Sequence, residues 1–272
     1  MSENCSASIS TPAAAAPQSV SNPTTLIVIL VLAVGGLFVL VTILALGIRS
    51  WRRERAQENK DKAQAAIETT RRMRFVACFI RASDFLSMGE LKSHEVLRNE
   101  GRLVYRDTFD DLAHGDDYVI FLSHQWLGYD APDPDGVQYP CMARAVEQIA
   151  TRLRDQVRDE FESEPDDQHV SLDRILRRIL VWVDYVSIPQ LGEETLQLAI
   201  QSLSAYCSLA NDFVICAPKA THSDSAQECN FSTYRKRMWC RAEQLCHMLR
   251  NGAASIWLAT ADSCERTHTK AR

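Results

Sequence analysis

The chain has 272 residues, with 30 lysines and arginines against 35 aspartates and glutamates and a formal net charge of −5. That length holds one ordinary α/β domain of roughly 150 to 200 residues plus an anchor and a tail, and leaves little room for two full globular domains. Arg49 to Arg74 has nine basic and four acidic side chains, whereas Phe75 to Arg272 has 21 basic and 30 acidic, so the bulk of the chain lacks the concentrated positive face of a nucleic-acid binder and no nucleic-acid partner is expected.

Residues 1–25 are rich in Ser, Thr, Ala and Pro, have nothing from which to build a core, and are expected to form a disordered tail. Asn4-Cys5-Ser6 fits a glycosylation sequon within it. No side chain between Glu3 and Arg49 is charged, and residues 26–48 form an apolar run of 23 residues. A helix of that length spans about 35 Å, enough to cross a ~30 Å hydrocarbon layer with some tilt. A signal peptide would carry a basic segment ahead of a shorter apolar stretch, and a core helix would show a polar stripe; this run has neither. Residues 26–48 therefore read as a single transmembrane helix. Arg49, Arg52, Arg53 and Arg55 crowd its carboxyl side, which predicts an N-terminus outside and a cytoplasmic C-terminal domain. The expected partners are thus the lipid bilayer and anionic inner-leaflet lipids near Arg49–Arg55.

Residues 49–86 read as a basic juxtamembrane helix or stalk, since Trp51 to Arg74 is rich in helix formers with no Gly or Pro. Its apolar end (Phe75, Val76, Phe79, Ile80, Phe85, Leu86) is expected to dock on the domain. A connecting segment, 87–116, leads into an α/β domain over 117–262, followed by a tail over 263–272. In the domain, Tyr118–Ser123 is a short run of β-formers, and Met142, Val146, Ile149, Leu153 and Val157 recur at helical spacing. Glu162–Gln168 breaks the pattern. A short helix over Leu172–Arg178 then precedes a buried-strand pattern at Ile179–Asp184. Leu196 to Ala210 is helical, Phe213–Ala217 a strand, Ser232 to Arg250 a helix and Ala254–Ala259 a fourth strand. Such alternation implies a parallel sheet covered by helices on both faces, with ligands at the carboxyl ends of the strands. Ser123-His124-Gln125-Trp126 and Asp184 to Gln190 fall at those ends. The nine cysteines are odd in number and contain no Cys-x-x-Cys pair. Eight would face the reducing cytosol as free thiols, and Cys240, Cys246 and His247 have no second ligand pair, so no metal is expected.

Three stretches in this order resemble the heterokaryon-incompatibility (HET) domain, which is itself similar to the Toll/interleukin-receptor (TIR) fold. Leu122-Ser123-His124-Gln125-Trp126 is similar to the HET pattern Leu-Ser-Tyr-x-Trp. Residues 180–190, with Trp182, Asp184, Ser187, Pro189 and Gln190, resemble Leu-Trp-Ile-Asp-x-Leu-Cys-Ile-Asn-Gln. Arg237-Met238-Trp239-Cys240-Arg241-Ala242-Glu243 resembles both Arg-x-Trp-Thr-x-Gln-Glu and the TIR motif Trp-Cys-x-x-Glu. The departures are His124 for Tyr, Pro189 for Asn, Gln244 inserted before the Leu245 that closes the TIR motif Trp-Cys-x-x-Glu-Leu, and no readable strand between Val157 and Arg178. The resemblance implies a TIR/flavodoxin-like parallel sheet flanked by helices, and a signalling role through self-association or protein partners.

It further implies a catalytic role for Glu243, the position that in catalytic TIR domains cleaves the nicotinamide–ribose bond of NAD, with NAD a substrate rather than a cofactor. Breaking that bond builds positive charge on the ribose, which a carboxylate stabilises. Trp126 or Trp239 could stack on a flat base, while Ser123, His124, Asp184 and Gln190 would supply hydrogen bonds. The plainer readings are a solvated Glu243 paired with Arg237 or Arg241, a structural His124, and an Asp184 that caps the following turn. Ser123 and His124, adjacent on a strand, should point to opposite faces and not act as a nucleophile–base pair.

Overall fold

The computed structural model describes residues 23–70, 73–108, 115–161 and 171–267, so residues 1–22 of the tail expected over 1–25, its sequon and the break at Glu162–Gln168 lie outside the described residues, while residues 23–25 belong to the first helix. Two compact units divide the chain, Met1–Lys62 and Ala63–Arg272. The first is occupied by α1 (Pro23–Thr70), whose apolar part is the one helix among the described residues long and apolar enough to cross a membrane. Apolar side chains point outward on every side of it, as with Leu37 at 61% and Phe38 at 72% exposure. Its basic continuation is laced by one-turn contacts, including Lys62 to Glu58 at 2.6 Å and the Arg55 guanidinium 4.7 Å from the Trp51 ring.

In the second unit β1 (Ala77–Arg81) runs into α2 (Ala82–Leu86), α3 (His94–Asn99) and β2 (Leu103–Arg106). Then come β3 (Tyr118–His124), α4 (Gln138–Phe161), α5 (Leu172–Arg178), β4 (Ile179–Trp182), α6 (Asp184–Ser187), α7 (Glu193–Gln201), α8 (Leu203–Leu209) and β5 (Asp212–Cys216). A small hairpin of β6 (Ala220–Thr221) and β7 (Glu228–Cys229) precedes α9 (Phe231–Tyr234), α10 (Met238–Asn251), β8 (Ile256–Ala259) and β9 (Cys264–Arg266). Seven strands form one sheet in the order β2-β1-β4-β3-β5-β8-β9. β4, β3, β5 and β8 are mutually parallel, while β1 and β9 flank them antiparallel.

Three of these strands, β1, β2 and β9, lie in the stretches expected to be stalk, connector and tail. β1 ends in Arg81, β2 is half exposed at the sheet edge, and β9 has three residues, so none shows the long apolar run of a central strand. The chain enters β1 through Ser202, whose Oγ accepts from the backbone N–H groups of Arg74 (2.7 Å) and Phe75 (3.0 Å) and sits where α7 gives way to α8. The two sheet faces carry separate cores. Met142, Val146 and Ile149 of α4 pack on Ile120, Leu122 and Val181, and Leu203, Tyr206 and Cys240 pack on Phe121, Trp182 and Phe213 from the other side. Register places Phe121 beside both Trp182 and Phe213, and its ring stacks between them with centroids 4.2 and 5.2 Å away. All eight described cysteines are free thiols, and all but Cys246 are buried.

Candidate functional site

β3 delivers Ser123 and His124 to the carboxyl ends of the parallel strands, beside the point where β4 and β5 leave it on opposite sides. The pleat separates their side chains. Ser123 reaches toward Tyr234 and α10, and His124 toward α4 and Asp184.

On the His124 side, the Asp133 carboxylate accepts from the N–H groups of Val137 (2.8 Å), Gln138 (2.9 Å) and Tyr139 (2.8 Å), fixing the start of α4. Gln138 is thereby held with its Nε2 donating to the Gln125 carbonyl at 2.7 Å, which turns its Oε1 to His124 Nδ1 at 2.6 Å. His124 Nε2 lies 2.8 Å from Asp184 Oδ1. With an acceptor facing each ring nitrogen, the surroundings of His124 favour its doubly protonated form over either neutral tautomer. Burial disfavours that charge, but Asp184, Gln138 and Glu243 outweigh it and hold its pKa above the ordinary value. Burial also pushes the Asp184 carboxyl up, yet the charge and hydrogen bond of His124, the Trp126 indole and the Tyr185 N–H together leave it below the carboxylate range. Trp126 Nε1 donates to Asp184 Oδ2 and the Tyr185 N–H to Oδ1, each at 2.7 Å. The Asp184 side chain remains 25% exposed against 1% for His124, so the pair is buried at the histidine and open at the carboxylate.

On the Ser123 side, α10 turns Cys240, Glu243 and His247 inward. Ser123 Oγ is hydrogen-bonded to Glu243 and lies 2.7 Å from Tyr234 Oη. Glu243 is 5% exposed. Burial raises its pKa to about 8, aided by the Asp184 charge and partly offset by Ser123, His124 and Trp239, so this acid keeps its proton at neutral pH. The plainer expectation, a solvated Glu243 paired with Arg237 or Arg241, is corrected by this arrangement. Trp239, Ala242 and Leu249 are exposed, and Glu243 lies at the centre of the buried face with Ser123, not Arg237 or Arg241, as its partner.

The structure thus brings Ser123, His124, Trp126, Asp184 and Glu243 to one rim, in two hydrogen-bonded sets close enough for His124 and Asp184 to shift the pKa of Glu243. Trp239 borders Glu243 at 44% exposure. Gln190 does not join them: its N–H donates to Glu95 Oε1 and its side chain to the Ile188 carbonyl, both at 2.7 Å, within the loop after α6. Sequence reasoning missed Gln138, which dictates the protonation of His124, and Tyr234, which is fully buried against Ser123. The readable signal was Asn230-x-x-Thr233, a capping box that starts α9 and whose Thr233 hydroxyl also accepts from Gln125 Nε2 at 3.1 Å. Chemically, the rim offers a desolvated acid, a buried imidazole whose pKa is raised and a half-open carboxylate beside two indoles. Among the described residues no three His, Cys, Asp or Glu side chains converge as metal ligands. Comparison of the chain with protein-family models, with curated proteins and with solved structures gives no match.

Proposed function

We propose that this is a membrane-anchored signalling protein whose cytoplasmic HET/TIR-like domain binds a nicotinamide nucleotide at the rim above β3 and cleaves it through Glu243. The observation that carries the reading is the Glu243 carboxyl, desolvated against the end of β3 and bordered by an indole, since strongly perturbed acids cluster at functional sites. The order of the parallel strands, β4-β3-β5-β8, supports a flavodoxin-type arrangement, and in that arrangement ligands bind where connections diverge from the first parallel strand, here at the end of β3. An apolar helix with no polar face supports the anchor, and its flanking arginines support a cytoplasmic domain.

A cationic pyridinium near Glu243 would favour the ionised carboxyl and draw its proton off as the substrate seats. The carboxylate then faces the ribose as the C1′–N bond breaks. The bond electrons pass to the ring nitrogen, neutralising the pyridinium; water adds to C1′ and gives its proton to the Glu243 carboxylate, restoring the acid. Trp239 or Trp126 would stack on the departing ring, and the open edge of Asp184 would hold a ribose hydroxyl.

The 5% exposure of Glu243 favours a second reading, a non-catalytic self-association module or nucleotide sensor in which the acid only holds β3 to α10. Nicotinamide release from NAD by the full chain in liposomes, sparse and crowded, separates the two. Turnover that falls roughly 100-fold in Glu243→Gln supports catalysis. No release at either density, from protein with an intact melting transition, leaves the module.

A further inference from the structure

The outer face of α10 is unlike the rest of the domain surface. Met238, Trp239, Leu245, Met248 and Leu249 are exposed by 83, 44, 56, 42 and 55%, and all but Trp239 follow one helical stripe opposite the buried Cys240, Glu243 and His247. The six other large exposed hydrophobics among the described residues of this unit are scattered over α3, β2, α7 and three loops. At the amino end of the stripe, Arg235, Lys236, Arg237 and Arg241 are exposed as well. Ser232, Arg235, Lys236, Arg241 and Gln244 line a surface cleft of about 620 Å³. No carboxylate among the described residues forms an ion pair with any of these four cations, in a segment of chain with 30 acidic side chains against 21 basic.

We propose that this face of α10 docks on an anionic phospholipid bilayer, with a headgroup phosphate in the Arg235–Lys236–Arg241 cleft, Met238, Leu245, Met248 and Leu249 in the interfacial layer and Trp239 at its headgroup edge. The pairing of cations with an amphipathic apolar stripe is the chemistry of a helix lying in a membrane surface, where charge supplies attraction and apolar side chains supply insertion. Trp239 belongs there, since indoles favour the headgroup level. In a symmetric pair of chains docked through this face the same cations would meet and repel at the cleft, so charge complementarity favours the bilayer over such a dimer. The inference does not depend on catalysis by Glu243. It draws on the anchor only because a tethered domain meets the surface at high effective concentration, so weak docking suffices.

The test uses the full chain in nanodiscs of phosphatidylcholine alone or mixed with phosphatidylserine, with hydroxyl-radical oxidation of Met238, Trp239 and Met248 read by mass spectrometry. Both discs hold the same anchor, so a difference reports the headgroups. Docking predicts lower oxidation of all three residues in the mixed discs. The combined Arg235→Glu, Lys236→Glu and Arg241→Glu variant should lose that protection, as three interfacial charges shift the docked-to-free ratio by on the order of 100-fold or more. Met238→Ser with Leu245→Ser keeps the charge and should also lose it; all these side chains are exposed, and an unchanged melting transition confirms the fold. Equal oxidation in the two lipids overturns the proposal. So does protection in neutral discs that grows with the number of chains per disc, which would mean a second copy, or protection that appears with free inorganic phosphate and not with phosphatidylserine.

Discussion

Ser123 on β3 and Glu243 on α10, separated by 120 residues of sequence, are joined by a buried hydrogen bond. Because the folded carboxyl titrates near 8 and an unfolded one near 4.5, the native state keeps a proton that the unfolded chain gives up as pH rises between those values. Stability at this site is therefore full below pH 4.5, falls toward pH 8 and then levels, by a total on the order of 5 kcal/mol. Glu243→Gln should flatten that part of the profile and melt higher than the parent above neutrality. Equal slopes for both proteins in thermal melts across this range would show that Glu243 is ionised in the fold.

His124 should keep both ring protons to a higher pH than a free imidazole, visible as two ring N–H signals in nitrogen-15 histidine spectra that persist above its ordinary titration range. Its raised pKa contributes stability below 6.5 that is lost as pH climbs through the folded value, while the lowered Asp184 contributes above 3.8 and is lost as pH falls. The pair is thus fully stabilising between those limits. Gln138→Leu removes the acceptor at Nδ1 and should let the ring lose its proton at lower pH; an unmoved titration would refute the two-acceptor argument.

At the opposite end of the sheet, Arg152 Nη2 lies 2.8 Å from Oδ2 of the buried Asp212, which also accepts from Tyr118 Oη at 2.7 Å. Arg152→Ala should cost about 3–5 kcal/mol in urea unfolding, because it strands a buried carboxylate. Adding Asp212→Ala should recover part of the loss. If the double variant is no better than the single one, the arginine acts through packing on Trp257, whose ring lies 5.4 Å from its guanidinium.

In sealed vesicles with the cytoplasmic face outward, added protease should remove the domain and spare a fragment ending near Arg49. Protection of residues from Phe75 onward would reverse the proposed orientation. Replacing Arg49, Arg52, Arg53 and Arg55 together with Ser should weaken it, and a single replacement should do little.

The central strands and α4 were legible because strands covered on both faces are written as unbroken apolar runs and the helix between them as a 3.6-residue stripe. β1 was hidden by its neighbours: Ala77–Arg81 follows a long basic helix with no Gly or Pro between, and reads as the apolar end of it. Of the site, the divergence of Ser123 from His124 followed from the pleat alone. The burial of Glu243 did not, since the apolar residues of α10 that suggest its inner face, Trp239 and Leu249 among them, are those it exposes. The partners Gln138 and Tyr234 come from elements whose juxtaposition depends on tertiary packing.

The place of β1 also sets an order of events during synthesis. Its neighbour β2 is near in sequence, but its other neighbour, β4, begins at Ile179, about a hundred residues later, and Ile80 pairs with Val181. A nascent chain halted before Ile179 has already released α1, yet Phe79 and Ile80, fully buried in the finished fold, have one side of their ladder open. Such long-range closure is slow compared with local pairing and leaves apolar strand edge exposed in the interval. For this interval the ribosome-bound chain is a ready client for holdase chaperones, and stalling before residue 179 should be where crosslinking captures them.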